Sequence, residues 1–247
     1  MKEKIPSLFS LGIKAIENKA KPAAGKILIG LIYFIGFPLL LLFLGGDIHW
    51  GQAWAYLAVS YFASFLSRVL MAMKHPDLIM ERSSYADKPD TKPWDRILSP
   101  LVALWLPLAY FIVAGLDKRF GWSEPLPIWT NIIAWIVTII GFAVANWAIV
   151  ENRFFSAVVR IQTDRGHTVV ESGPYRFVRH PGYSGSLLVG LMFPLILGTS
   201  RAYIPIALFA AVVVIRTAKE DKTLIDELPG YLEYTQKTRY RLLPLIF

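Results

Sequence analysis

Residues 128–150 read IWTNIIAWIVTIIGFAVANWAIV, twenty-three residues without a single charge. Wound as a helix at about 1.5 Å per residue, such a stretch covers the roughly 30 Å of hydrocarbon in a bilayer. Working outward, apolar blocks recur at 27–44, 52–73, 97–116, 182–199 and 202–215. The last has only 14 residues before Arg216. It either crosses with Arg216 snorkelling to the surface or pairs with 182–199 as a hairpin. The whole chain of 247 residues is 55% hydrophobic and 18% charged. A soluble domain is nearer half apolar and about a quarter charged.

The positions of Lys and Arg predict topology. Alternate inter-block segments carry 22 and 3 of the 26 cations, and Arg68 lies inside the second block. This positive-inside asymmetry predicts six spans with both termini cytoplasmic. It also accounts for the net charge of +8 without nucleic acid as a partner. With no cysteine, disulfides, thiolate metal sites and a thiol nucleophile are excluded. His49, His75, His167 and His180 show no metal-ligand spacing, so no metal is expected. There is no G-x-G-x-x-G after a strand and no G-x-S-x-G elbow.

These features predict an all-α polytopic transmembrane bundle, residues 1–247 forming a single membrane domain. No cleavable signal is evident, and residues 1–26 read either as an interfacial leader helix or as a disordered leader. The 74–96 segment reads as a loop with one short helix at 77–82. In 151–181, β-branched runs flank Asp164-Arg165-Gly166, which predicts a short cytoplasmic β-hairpin. A cytoplasmic helical tail follows the last span.

Two clusters carry chemistry. In GPYRFVRHPGYSG (173–185), Pro181 is placed to open a helix, with His180 at or beside its N-cap. Arg179, His180 and the free N–H groups there suit a carboxylate or phosphate. Arg176 and Arg179 facing lipid phosphates is the plainer alternative. Gly182, Ser186 and Gly190 recur every four residues, more often a helix-packing stripe than a groove. In the second cluster Arg216 and Glu220 share a helix face. They read either as an i,i+4 ion pair or as a functional pair at membrane depth. Asp221 lies about 100° around that helix. Tyr231, Tyr234, Arg239 and Arg241 read as interfacial anchors.

Together the clusters resemble a known family. HTVVESGPYRFVRHPGY (167–183), followed by Arg216-x-x-x-Glu220, is similar to the signature of the isoprenylcysteine carboxyl methyltransferases, which also resembles that of the phospholipid N-methyltransferases. The resemblance covers about residues 150–247. Val169 stands for the usual Leu, and Asp221 for a frequent second Glu. The resemblance implies an S-adenosylmethionine-dependent methyltransferase with its cofactor-binding catalytic region in 151–247. His167, Thr168, Val169, Val170 and Tyr175 would line the adenosine pocket. Arg179, His180, Pro181, Gly182 and Tyr183 would meet the methionine part, with a further polar contact from Arg160 or Gln162. Glu220 would take the ammonium, and Arg216 would orient the acceptor, if necessary by bidentate pairing with a carboxylate. The implied acceptor is lipophilic or prenylated and arrives from the bilayer, with O-methylation favoured over N-methylation. Likeness to bacterial members implies a prokaryotic inner membrane. Two other readings stand beside it: an NADPH-dependent sterol or enone reductase, and a transporter or scaffold.

Overall fold

The computed structural model describes residues 32–84 and 88–246. The leader expected at 1–26 lies outside them. Among the described residues nine α-helices follow in order: α1 Phe37–Gly45, α2 Gly51–Lys74, α3 Pro76–Ser83, α4 Asp95–Pro100, α5 Leu106–Phe120, α6 Ile128–Glu151, α7 Pro181–Leu197, α8 Tyr203–Glu227 and α9 Tyr231–Lys237. A π-helical stretch, Leu101–Trp105, joins α4 to α5. It follows Pro100, which has no N–H to continue the α ladder.

Among the described residues four continuous helical stretches are long and apolar enough to cross a membrane: Gly51–Lys74, Asp95–Phe120, Ile128–Glu151 and Ser200–Glu227. Six spans are therefore not supported. The expected spans at 27–44 and 182–199 correspond to the shorter apolar helices Phe34–Gly45 and Pro181–Leu197. The short block at 202–215 does not end at Arg216, because α8 runs on to Glu227.

The β-hairpin is also absent: the described residues contain no strand. The predicted turn does form, with Arg165 and His167 N–H both donating to the Gln162 carbonyl and Gly166 at φ 62°. The flanking backbone groups find other partners. Val159 N–H donates to Asp95 (2.7 Å), and its carbonyl accepts from Lys92 N–H. The expected helix at 77–82 is present as α3.

Helix α6 is small inside and large outside. Ala134, Thr138, Gly141 and Ala148 are buried, whereas Ile132, Ile136, Ile139 and Ile140 are exposed. Lipid is as apolar as isoleucine, so close backbone approach decides which face packs. The tightest approach joins α6 to α7. A Cβ on Gly185 would collide with the Gly141 carbonyl and lie 2.8 Å from Ala145 N. Beside this seam, an aromatic cluster ties α1, α2, α5 and α7 together. Phe193 is its centre, with ring centroids 4.9 Å from Tyr56, 4.8 Å from Tyr110 and 5.1 Å from Phe111.

Gly185→Ala is expected to destabilise the detergent-solubilised protein by about 1–3 kcal/mol, because the obstacle is backbone rather than a flexible side chain. Gly121→Ala meets nothing within 4 Å but is strained by φ 61°. Thermal melts of the two variants separate overpacking from backbone strain: the Gly185 variant should have the larger effect.

Candidate active site

The site is organised around Asp221, which is fully buried on α8. Arg179 donates to it from Nε (2.7 Å) and Nη2 (2.8 Å). Arg241 Nε (2.8 Å) and the Tyr231 hydroxyl (3.0 Å) also reach it, and His180 Nε2 lies 3.3 Å away. The chain beyond α9 then straps across the start of α7. Arg179 N–H donates to the Tyr240 carbonyl and His180 N–H to the Arg241 carbonyl. Arg179 Nη1 takes the carbonyls of Thr238 and Arg239. His180 is the N-cap residue of α7, with Pro181 in the first turn, as the sequence predicts. The cation expected to face a ligand is instead committed to the fold.

Beside this clasp lies a cavity of about 1080 Å³, at the upper end of the range for small-molecule sites, roughly 300–1000 Å³. Its lining is of two kinds. His167, Tyr175, His180, Tyr183, Arg216 and Glu220 supply a polar wall, and Phe37, Tyr56, Leu57, Tyr110, Phe111 and Phe209 an apolar one. Glu220 and Arg216 share the polar wall, yet each takes a different partner. Glu220 Oε2 accepts from the Tyr183 hydroxyl at 2.6 Å. Arg216 sits over the Tyr183 ring at 5.3 Å and pairs with Asp95 through Nε (2.7 Å) and Nη2 (3.0 Å). The bidentate edge expected for an acceptor carboxylate is thus already occupied.

The 160–175 segment forms one side of the cavity. Arg160 is buried and paired with Glu81 (2.9 Å), Asp90 (2.8 Å) and Asp164 (2.9 Å). Burial opposes its charge, but these carboxylates outweigh it and raise its pKa. Gln162 is 1% exposed and donates to the Phe154 carbonyl at 2.6 Å. His167 Nδ1 accepts from Gln162 N–H. Burial, with Arg160 and Arg165 nearby, lowers the His167 pKa to about 4, so the imidazole is a neutral acceptor at neutral pH. Thr168, Val169 and Val170 also line the cavity. Tyr175 accepts from Asn152 Nδ2 at 3.2 Å, and its carbonyl accepts from the Tyr234 hydroxyl at 2.6 Å.

Of the residues singled out in the sequence, Gln162, His167–Val170, Tyr175, Arg179, His180, Gly182, Tyr183, Arg216 and Glu220 all line this cavity; Pro181 does not. Gly182 faces Phe155, whose ring atoms lie 2.6 Å from where its Cβ would stand. The Gly182, Ser186 and Gly190 stripe borders the cavity, and the close helix contact runs through Gly185 instead. Tyr231 (4% exposed) and Tyr234 (1%) are buried, so they are not interfacial anchors, and Arg241 is held by Asp221. Asp95, 0% exposed, escapes sequence reasoning: its partner is 121 positions away, and only its place at a helix start marks it.

Asp221→Asn should cost about 3–5 kcal/mol, the penalty for leaving paired buried charges without their partner. Arg241→Gln should cost far less, because its side chain is 36% exposed and Arg179 still neutralises Asp221. Denaturation of the two variants in mild detergent reads the difference. Equal effects would place the clasp elsewhere.

Residues 132–226 match the model of the isoprenylcysteine carboxyl methyltransferase family. Among individual relatives, a Delta(14)-sterol reductase of Methylotuvimicrobium alcaliphilum is 24% identical over 157 residues, 58% of this chain and 36% of that protein. A probable protein-S-isoprenylcysteine O-methyltransferase of Oryza sativa subsp. indica is 31% identical over 85 residues, 34% of this chain and 44% of the relative. The cobalt-zinc-cadmium resistance protein CzcN of Cupriavidus metallidurans is 29% identical over 141 residues, 56% of this chain and 61% of the relative. The matched stretch spans little more than a third of the sterol reductase's length. The family stretch contains the α7 N-terminus, Arg216, Glu220 and Asp221, and over residues 132–226 the chain is isoprenylcysteine carboxyl methyltransferase-like.

Proposed function

We propose that the protein is a membrane methyltransferase that takes its methyl group from S-adenosylmethionine and passes it to a lipophilic acceptor. The observation that carries this reading is a cavity whose polar wall comes from the family-like stretch and whose other wall is aromatic and apolar. The charge asymmetry of the chain supports a polar end open to the cytoplasm and both termini on that side.

The donor set suits this cofactor. Glu220 is half-buried on the cavity wall. With Oε2 taken by Tyr183, Oε1 is available to an ammonium. His167, Thr168, Val169 and Val170 would border the adenosine, and Gly182 and Tyr183 the methionine part. When bound, S-adenosylmethionine supplies a methyl group on a positively charged sulfur. The chain's own contribution is positional: Tyr183 fixes the Glu220 carboxylate, Asp95 fixes Arg216, and the aromatic wall keeps water from the acceptor. Holding two reactants dry and in line is a large part of such catalysis. With Arg216 neutralised by Asp95, its part is to steady the Tyr183 ring and to offer the remaining Nη1 edge.

A second reading is favoured by the sterol-reductase similarity: an NADPH-dependent reductase using the same cavity. Calorimetry on the purified protein decides between them. S-adenosylmethionine or its demethylated product is expected to bind saturably, and NADPH not. Glu220→Gln should weaken that binding roughly tenfold or more, the worth of one charge-assisted hydrogen bond. Saturable NADPH binding without binding of the methyl donor would establish the reductase reading instead.

A further inference from the structure

Four arginines that are not exposed line the cavity: Arg82, Arg160, Arg179 and Arg216. Three are matched by carboxylates, Arg160 with Glu81, Arg179 with Asp221 and Arg216 with Asp95. Arg82 has no carboxylate among the described residues. Its Nη1 donates to the Phe155 carbonyl at 3.0 Å, and its guanidinium lies 5.5 Å from the centre of the Phe155 ring. Phe155 in turn sits on Gly182, beside Tyr183.

The neighbouring charges add to the imbalance. Arg216 and Arg68 act on Arg82 as like charges. Arg68 stacks on Phe34 at 4.7 Å, and Phe34 is part of the cavity lining. Arg82 therefore belongs to the side of the cavity shared with the N-terminal helices, at the join of its polar and apolar walls. Burial pushes the Arg82 pKa down, Tyr183 opposes that shift, and the like charges of Arg216 and Arg68 add to it, with a net lowering, whereas Arg179, despite burial, is pushed up by its carboxylate. A buried charge without a counter-charge is costly to keep. A cavity-lining cation with no carboxylate partner is a candidate for holding an anion.

We propose that Arg82 is the anion-holding residue for the acceptor's head group, taking a carboxylate or phosphate carried by a single-chain or prenyl amphiphile whose tail lies along the apolar wall. This rests on reading the cavity as the place where the acceptor binds. Arg82 lies outside the family-like stretch at 132–226, so the site is a contribution of the 74–96 segment. A guanidinium fork suits both oxyanions. Arg82 is a positioning residue, not a proton carrier.

The test uses the full chain in neutral detergent with three probes: oleate, oleyl phosphate and the uncharged oleamide. Their affinities are compared by calorimetry for the wild type, Arg82→Met and Arg82→Lys. The wild type should bind at least one anionic probe about tenfold or more tightly than oleamide, and the preferred anion identifies the head group as carboxylate or phosphate. Arg82→Met should bring anion and oleamide affinities within about twofold, leave oleamide binding unchanged, and leave affinity for S-adenosylhomocysteine unchanged. Arg82→Lys should keep part of the preference. The ligand-free Arg82→Met protein should melt no lower than wild type, because it loses an unbalanced charge. The proposal is overturned by any of three results: no anion preference in the wild type, a preference that survives Arg82→Met, or a fall in S-adenosylhomocysteine affinity in that variant. A large drop in the melting temperature of ligand-free Arg82→Met would likewise make the residue structural. If the wild type binds no methyl donor yet shows an Arg82-dependent anion preference, methyl transfer falls and the anion site stands.

Discussion

One buried carboxylate holds together what would otherwise be four separate pieces. Asp221 takes hydrogen bonds from the start of α7, from α9 and from the terminal strap while sitting on α8. A carboxylate at this depth is tolerable only when its lone pairs are filled and its charge is matched. Each of those donors therefore has to arrive in place. The same requirement fixes the backbone of residues 179–180 against 240–241, and with it the orientation of the helix that carries Gly182 and Tyr183 into the cavity.

The second organising feature is a set of long-range ion pairs that seat the 74–96 segment on the 151–165 segment and on α8. Arg160 meets Glu81 and Asp90, Arg165 meets Asp77 (2.5 Å), and Arg216 meets Asp95. Lys92 adds an exposed contact to Glu227 at 2.5 Å. Exposed pairs contribute little. The buried ones act chiefly through what their loss would leave uncompensated. Charge pairing here sets which cations are neutral in effect and which are not, so it shapes the cavity's field as well as its walls.

The apolar blocks are legible in sequence because a membrane span has to be predominantly apolar, even where a single cation such as Arg68 lies within it. The α7 N-terminus is legible because Pro is favoured in the first turn of a helix, where its missing N–H costs nothing. The motif residues gather at one cavity, as their shared chemistry suggests. The hairpin at 151–181 is misread because β-branched residues mark extended backbone without naming its partner. That partner is Asp95 and Lys92 rather than a second strand. Tyr231 and Tyr234 are misread for a related reason. Aromatic residues near a span suit an interface equally well as a core, and only the position of Asp221 and of the Tyr175 carbonyl decides. Arg216 and Glu220 lie four apart, yet each finds a different neighbour, which no local pattern encodes.

The two walls of the cavity are written largely in different parts of the chain, with Phe209 joining the apolar wall from the later part. Its polar wall comes mainly from residues 152–234, while Phe37, Tyr56, Leu57, Tyr110 and Phe111 on the apolar wall all precede residue 112. Mutation can therefore reshape the greasy half of the chamber without disturbing the half that carries the shared motif. The molecule thus has a head and a throat whose linings answer to largely separate stretches of sequence.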